Sequence, residues 1–132
     1  MDINKFRITR FPAPVLGRPA KPIDQITDDI RRLADKMINI MLETKGVGLA
    51  GPQVGVDLQI FVVSIDGTRE NAKVYINPKI SPSGPVEEND EGCLSLPGIY
   101  TKIKRSSASS VNSLPSRSVA VTVHFLYLFI FV

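Results

Sequence analysis

The residues of this chain equipped to do chemistry fall mainly in two short segments. Glu91-Gly92-Cys93-Leu94-Ser95 holds its single cysteine. A thiolate there can bind a metal, or act as a nucleophile where a base lowers its pKa. Gly92 before the cysteine and Leu94 after it allow the segment to offer a sulfur and a backbone N–H to one point. A Cys-His nucleophilic pair would need His124, the one histidine. That residue lies in an apolar stretch with no carboxylate nearby and reads as structural or unstructured. Upstream, Gly46-Val47-Gly48-Leu49-Ala50-Gly51-Pro52-Gln53-Val54-Gly55 is a glycine-rich turn, able to bring backbone N–H groups close to a ligand. It follows a helical pattern and precedes a strand-like one, the reverse of a dinucleotide fingerprint, so a tight helix-to-strand connection is its plain alternative. Glu87, Glu88, Asn89, Asp90 and Glu91 form an acidic run that reads as a solvated loop, not as a carboxylate pair for hydrolysis.

The elements that must position these segments follow from periodicity. Four prolines between Pro12 and Pro22 disfavour helix and predict an extended arm laid over the domain. Ile26, Ile30, Leu33, Ala34, Met37 and Met41 recur at helical spacing and predict an amphipathic helix, capped by Thr27 or Asp24 and ending near Lys45-Gly46. Leu58 to Ile65 predicts a buried strand, and Asp66-Gly67 a turn. Lys73 to Ile76 predicts a second strand stopped by Asn77-Pro78, and short strands are expected at 79–81, 85–88 and 99–104. Arm, helix and hairpin-spaced strands argue an α+β fold with mostly antiparallel pairing.

Composition narrows the function. The net charge is +3, yet every acid lies at or before Glu91, so the basic balance reflects a missing acidic complement and does not mark a nucleic-acid surface. One cysteine excludes an internal disulfide framework. The start of the chain has no apolar run of signal-peptide type, which together with the free thiol points to the cytoplasm. Residues 106–118 are serine-rich and 119–132 are apolar but short of the roughly 20 residues needed to span a bilayer. Membrane contact by this tail is therefore not expected. The tail's apolar residues occupy both faces of a would-be strand, a pattern that demands full burial.

Taken together, Gly46-Val47-Gly48-Leu49-Ala50-Gly51-Pro52-Gln53 and Glu91-Gly92-Cys93-Leu94-Ser95 resemble the first two of the three signature motifs of peptide deformylase. The arm Arg10-Phe11-Pro12-Ala13-Pro14-Val15-Leu16, the strand end Val74-Tyr75-Ile76-Asn77-Pro78 and the continuation Leu96-Pro97-Gly98 are similar to that family as well. The likeness runs over about residues 6 to 105, giving a partial deformylase-like domain at 1–105 and an atypical tail at 106–132. The tail's composition also suits a frameshift or gene-model artefact.

The resemblance implies a deformylase-like α+β fold and metal-dependent hydrolysis of the N-formyl group on the initiator Met of nascent polypeptides, met at the ribosome. It implies Cys93 as a metal ligand for Fe2+, or another divalent metal such as Zn2+. It implies Gln53 and the Leu94 N–H as donors to the oxyanion, and backbone groups around Val47, Gly48 and Leu49 as the lining of the peptide site. Gly51 stands where the family usually has alanine, an expected loosening of the turn. The family's third motif, His-Glu-x-x-His on a central helix, is absent from this sequence. The two histidine ligands and the general-base glutamate are therefore missing, and the resemblance implies a catalytically incomplete chain. The alternative is a non-catalytic formyl-peptide-binding or regulatory remnant.

Overall fold

A computed structural model describes residues 1–114 and 119–121 of the chain. The amphipathic pattern forms helix α1, Asp28–Glu43. Thr27 is the cap: its hydroxyl accepts from the Ile30 N–H at 3.4 Å, and Asp28 and Asp29 lie against the positive end of the helix dipole. Leu33, Met37 and Met41 are completely buried along one face. Five strands follow: β1 (Gly48–Ala50), β2 (Ile60–Val63), β3 (Lys73–Cys93), β4 (Leu96–Leu114) and β5 (Val119–Val121). They form one sheet in the order β1-β2-β3-β4-β5, each neighbour antiparallel. The architecture is α+β, as the element order predicts. Among the described residues α1 is the one α-helix, and no helix is long and apolar enough to cross a membrane.

Helix α1 packs on the β1–β2 end of the sheet. Its buried face joins Leu49, Ile60, Val62 and Ile76 in one core, flanked by Phe6 and Ile8 of the arm. Side chains alternate across a strand, so the intervening Phe61 and Tyr75 share the opposite face. They pair across β2 and β3 and stack at 4.7 Å.

Three expectations are corrected. The proline-rich arm is not extended throughout, because Pro14–Gly17 forms a 3-10 turn. Proline is acceptable there since the first turn's N–H groups lack partners in any case. Asn77-Pro78 does not stop its strand, and the segments 79–81 and 85–88 are not separate elements. β3 runs unbroken from Lys73 to Cys93, with irregularities between Ile76 and Lys79 and between Ser83 and Val86. Pro78 and Pro85 fall within those bulges, where the ladder needs no donor from them. Residues 99–104 likewise belong to the long β4, which crosses Arg105 without a break. His124 and most of the apolar tail lie outside the described residues.

Candidate functional site

The two motif segments, 40 residues apart at Gln53 and Cys93, meet at one end of the sheet. The first follows the end of α1 and forms the edge strand β1 and a short 3-10 turn at Gly51–Val54. The second is the tip of the β3–β4 hairpin, where Cys93 faces Leu96 across the turn residues Leu94 and Ser95. Between them lies a half-open cavity of about 400 Å3, lined on one side by Thr44, Lys45, Gly46, Val47, Gly48 and Gln53. The other side is Gly92 to Leu94 and Leu96 to Tyr100.

Gln53 is 1% exposed, and its carboxamide is held at both ends. Its Oε1 accepts from the Ala50 N–H at 2.9 Å, and its Nε2 donates to Cys93 Sγ at 3.4 Å. The Ala50 donor fixes which end of the amide is oxygen, so the NH2 group faces the sulfur and the cavity. Two main-chain bonds from the arm brace these turns. Thr9 N–H donates to the Gln53 carbonyl at 2.7 Å, and Phe11 N–H donates to the Ser95 carbonyl at 2.9 Å. Leu94 lies in the hairpin turn with its side chain against the core cluster. Its N–H has no acceptor among the described residues.

Gly51 corrects an expectation. A Cβ at this position would sit 2.6 Å from the Leu58 carbonyl oxygen and 3.1 Å from that of Val56. Glycine is thus what lets this turn close against the chain behind it, not a source of looseness.

Of the residues assigned to peptide lining, Val47 and Gly48 border the cavity. Leu49 does not: its side chain is fully buried in the core. The main chain separates them too. The Val47 carbonyl accepts from Ser64 N–H at 2.9 Å. Antiparallel alternation then turns the polar groups of Leu49 toward Val62 and those of Gly48 and Ala50 away from β2, to the open side of the edge strand.

A catalytic metal of the hydrolytic kind needs three protein ligands and one open position. Among the described residues no group of three His, Cys, Asp or Glu side chains converges anywhere. Cys93 Sγ, with an amide donor as its neighbour, is one ligand alone, so these residues do not fit the ion by themselves.

Comparison with known proteins decides the family. The profile of polypeptide deformylase matches residues 5–125. The chain belongs to the peptide deformylase family. It is 38% identical over 108 residues to the peptide deformylase of Acinetobacter baumannii strain SDF, covering 81% of this chain and 61% of that one. Against the peptide deformylase of Maricaulis maris strain MCS10 it is 41% identical over 101 residues, covering 74% of this chain and 58% of that one. The chain thus spans about three fifths of the length of these relatives. The crystal structure of a peptide deformylase from Legionella pneumophila superposes with a TM-score of 0.84 at 33% identity, over 92% of this chain and 73% of that one. That from Thermotoga maritima gives 0.76 at 35% identity, over 86% and 78%.

The cavity also contains deformylase-fold residues that sequence reasoning overlooked. Thr44 and Lys45 border it from the helix end, and Ile99 and Tyr100 from β4. The signal for the first pair was their position directly before the glycine turn. Tyr100 is placed by its pairing with Gly92, a partnership visible only once the hairpin register is known.

Proposed function

We propose that the cavity between the two motif turns is the formyl-peptide site of a deformylase, and that the residues of this chain hold the substrate without completing the hydrolytic centre. The observation carrying the reading is the convergence of Gln53 Nε2 and Cys93 Sγ at 3.4 Å on the wall of one cavity. Amide hydrolysis builds negative charge on the carbonyl oxygen, and fixed donors aimed at it are worth about 3 kcal/mol each. The formyl oxygen would take the second N–H of Gln53 and the unengaged Leu94 N–H. The peptide main chain would lie along β1, using the outward groups of Gly48 as an added strand does. The methionine side chain would fill the apolar part of the cavity beside Val47 and Leu96.

The substrate under this reading is the formyl-Met end of nascent chains, met in the cytoplasm at the ribosome. In the family a divalent metal such as Fe2+ or Zn2+ supplies the nucleophilic water. With Cys93 as the only cavity ligand offered by the described residues, these residues would not hold such an ion by themselves. The domain-like part of the chain is then 1–105, with 106–132 as its atypical tail. A non-catalytic, formyl-peptide-binding role is the second reading. It is supported by the same geometry, since Gln53 Nε2 borders the cavity while the described residues offer no group of three metal ligands.

The test is calorimetry and turnover on the full chain with a formyl-Met tripeptide. Binding at millimolar peptide without formate release, with or without added Fe2+ or Zn2+, is the expected result. Metal-dependent formate release would overturn the incompleteness of the centre. Absence of binding would overturn the assignment of the cavity.

A further inference from the structure

Lys45 is the one residue of the acidic or basic types Asp, Glu, Lys and Arg among the named residues lining the cavity. It is exposed and stands where α1 gives way to the glycine turn. Its backbone is in the left-handed region, φ +55. That conformation favours glycine at helix ends and costs a side chain roughly 1 kcal/mol.

A lysine after a helix often serves the last carbonyls of that helix. Here three of those carbonyls, of Ile40, Met41 and Leu42, are already bonded. The Ile40 oxygen accepts from Thr44 N–H at 3.0 Å and from the Thr44 hydroxyl at 2.7 Å. The Met41 oxygen accepts from Gly46 N–H at 2.9 Å, and the Leu42 oxygen from Lys45's own N–H at 3.1 Å. Glu43, exposed on the last turn of α1, makes no ion pair with Lys45, and neither does any other described acid. Lys45 therefore lines the cavity with no ion pair or hydrogen bond from its side chain among the described residues, and the other named lining residues include no acid and no second lysine or arginine.

We propose that Lys45 is a specificity-determining residue of this site, favouring formyl-Met peptides with an acidic side chain close behind the methionine. The inference rests on the cavity being a formyl-peptide site and adds the substrate class it prefers. An exposed pair of this kind is worth a small factor that salt removes.

The experiment is calorimetry on the full chain with three C-terminally amidated formyl-Met peptides differing only in Glu, Gln or Lys, the variable residue being placed second, third or fourth in turn. At one of these positions the Glu peptide is expected to bind up to about fivefold tighter than the Gln peptide at low salt, and the Lys peptide weaker than both. The difference should vanish in about 0.5 M salt. Lys45→Gln should level the three affinities, and Lys45→Glu should reverse their order, with circular dichroism unchanged. Equal affinities in the unaltered chain at all positions, or an order that survives in Lys45→Gln, would overturn the proposal. No binding by any peptide would overturn the formyl-peptide reading itself, a result separable from equal binding by all three.

Discussion

Asn77 grips Ile23 by both of its main-chain groups. Its Oδ1 accepts from the Ile23 N–H and its Nδ2 donates to the Ile23 carbonyl, each at 2.7 Å, across 54 residues of sequence. Asn77 itself is held at φ +48, in the left-handed region that asparagine tolerates better than most residues. The bond pair fastens the segment leading into α1 to the first bulge of β3. Asn77→Ala removes both bonds and leaves the main-chain groups of buried Ile23 without these partners. A loss of about 2–3 kcal/mol is expected, read as a lowered midpoint of urea unfolding with unchanged slope. Asn77→Gly, which relieves the backbone, should recover part of that loss.

Gln53→Ala separates the two roles of the carboxamide. The buried Ala50 N–H loses its acceptor, so thermal unfolding should move down by the equivalent of about 1–2 kcal/mol. Formyl-peptide affinity should fall as well, because a donor at the cavity wall is gone. Gln53→Glu keeps the acceptor for Ala50 and replaces the donor by an oxygen facing sulfur. It buries a carboxylate with no cation beside it among the described residues, so it should lose more stability than Gln53→Ala despite keeping the Ala50 acceptor, and at least as much peptide affinity, as calorimetry and thermal melting together reveal.

Gly51→Ala places a methyl group against the Leu58 and Val56 carbonyls. Overpacking of this kind typically costs 1–3 kcal/mol, and the expected result is a lowered unfolding midpoint. A neutral outcome would show that the turn yields readily.

Asp66 predicts the acid limb of stability. Its carboxylate accepts from the Asn71 side chain, from the Thr68 side chain and backbone, and from the Ser64 hydroxyl. These bonds hold its pKa down from 3.8 to about 2. A depressed carboxylate pKa stabilises the folded state fully above the unfolded value, and that contribution is lost as pH falls from about 4 through about 2. Asp66→Asn should lower stability near neutral pH and flatten the pH dependence across that window, as measured by urea titrations at stepped pH.

Much of the local structure was legible in the chain because it rests on neighbours in sequence. The spacing from Ile26 to Met41, the Thr27 cap and the apolar run around Ile60–Val63 are short-range patterns, and each forms the element that its pattern implies. The two motifs were legible as well, since their residue types and order are themselves the family signature. Prolines misled where long-range pairing outweighed local preference. Pro78 and Pro85 look like strand breakers, yet the facing β4 ladder carries β3 past them by bulging around each.

What tertiary structure alone decided is which groups face one another. No local pattern tells that Leu49 is buried in the core while Gly48, one residue before it, borders the cavity. That division arises from the β1–β2 register. Nor does sequence show that Gln53 reaches Cys93, or that the Ile40, Met41 and Leu42 carbonyls are bonded and Lys45 borders the cavity without an ion-pair partner among the described residues. Sequence by itself determined the two segments that carry the family likeness and the lack of a His-Glu-x-x-His pattern among the residues given, because those are facts of residue identity. The folded chain decided the geometry between them, because hydrogen bonds and packing act between atoms brought together from distant parts of the sequence.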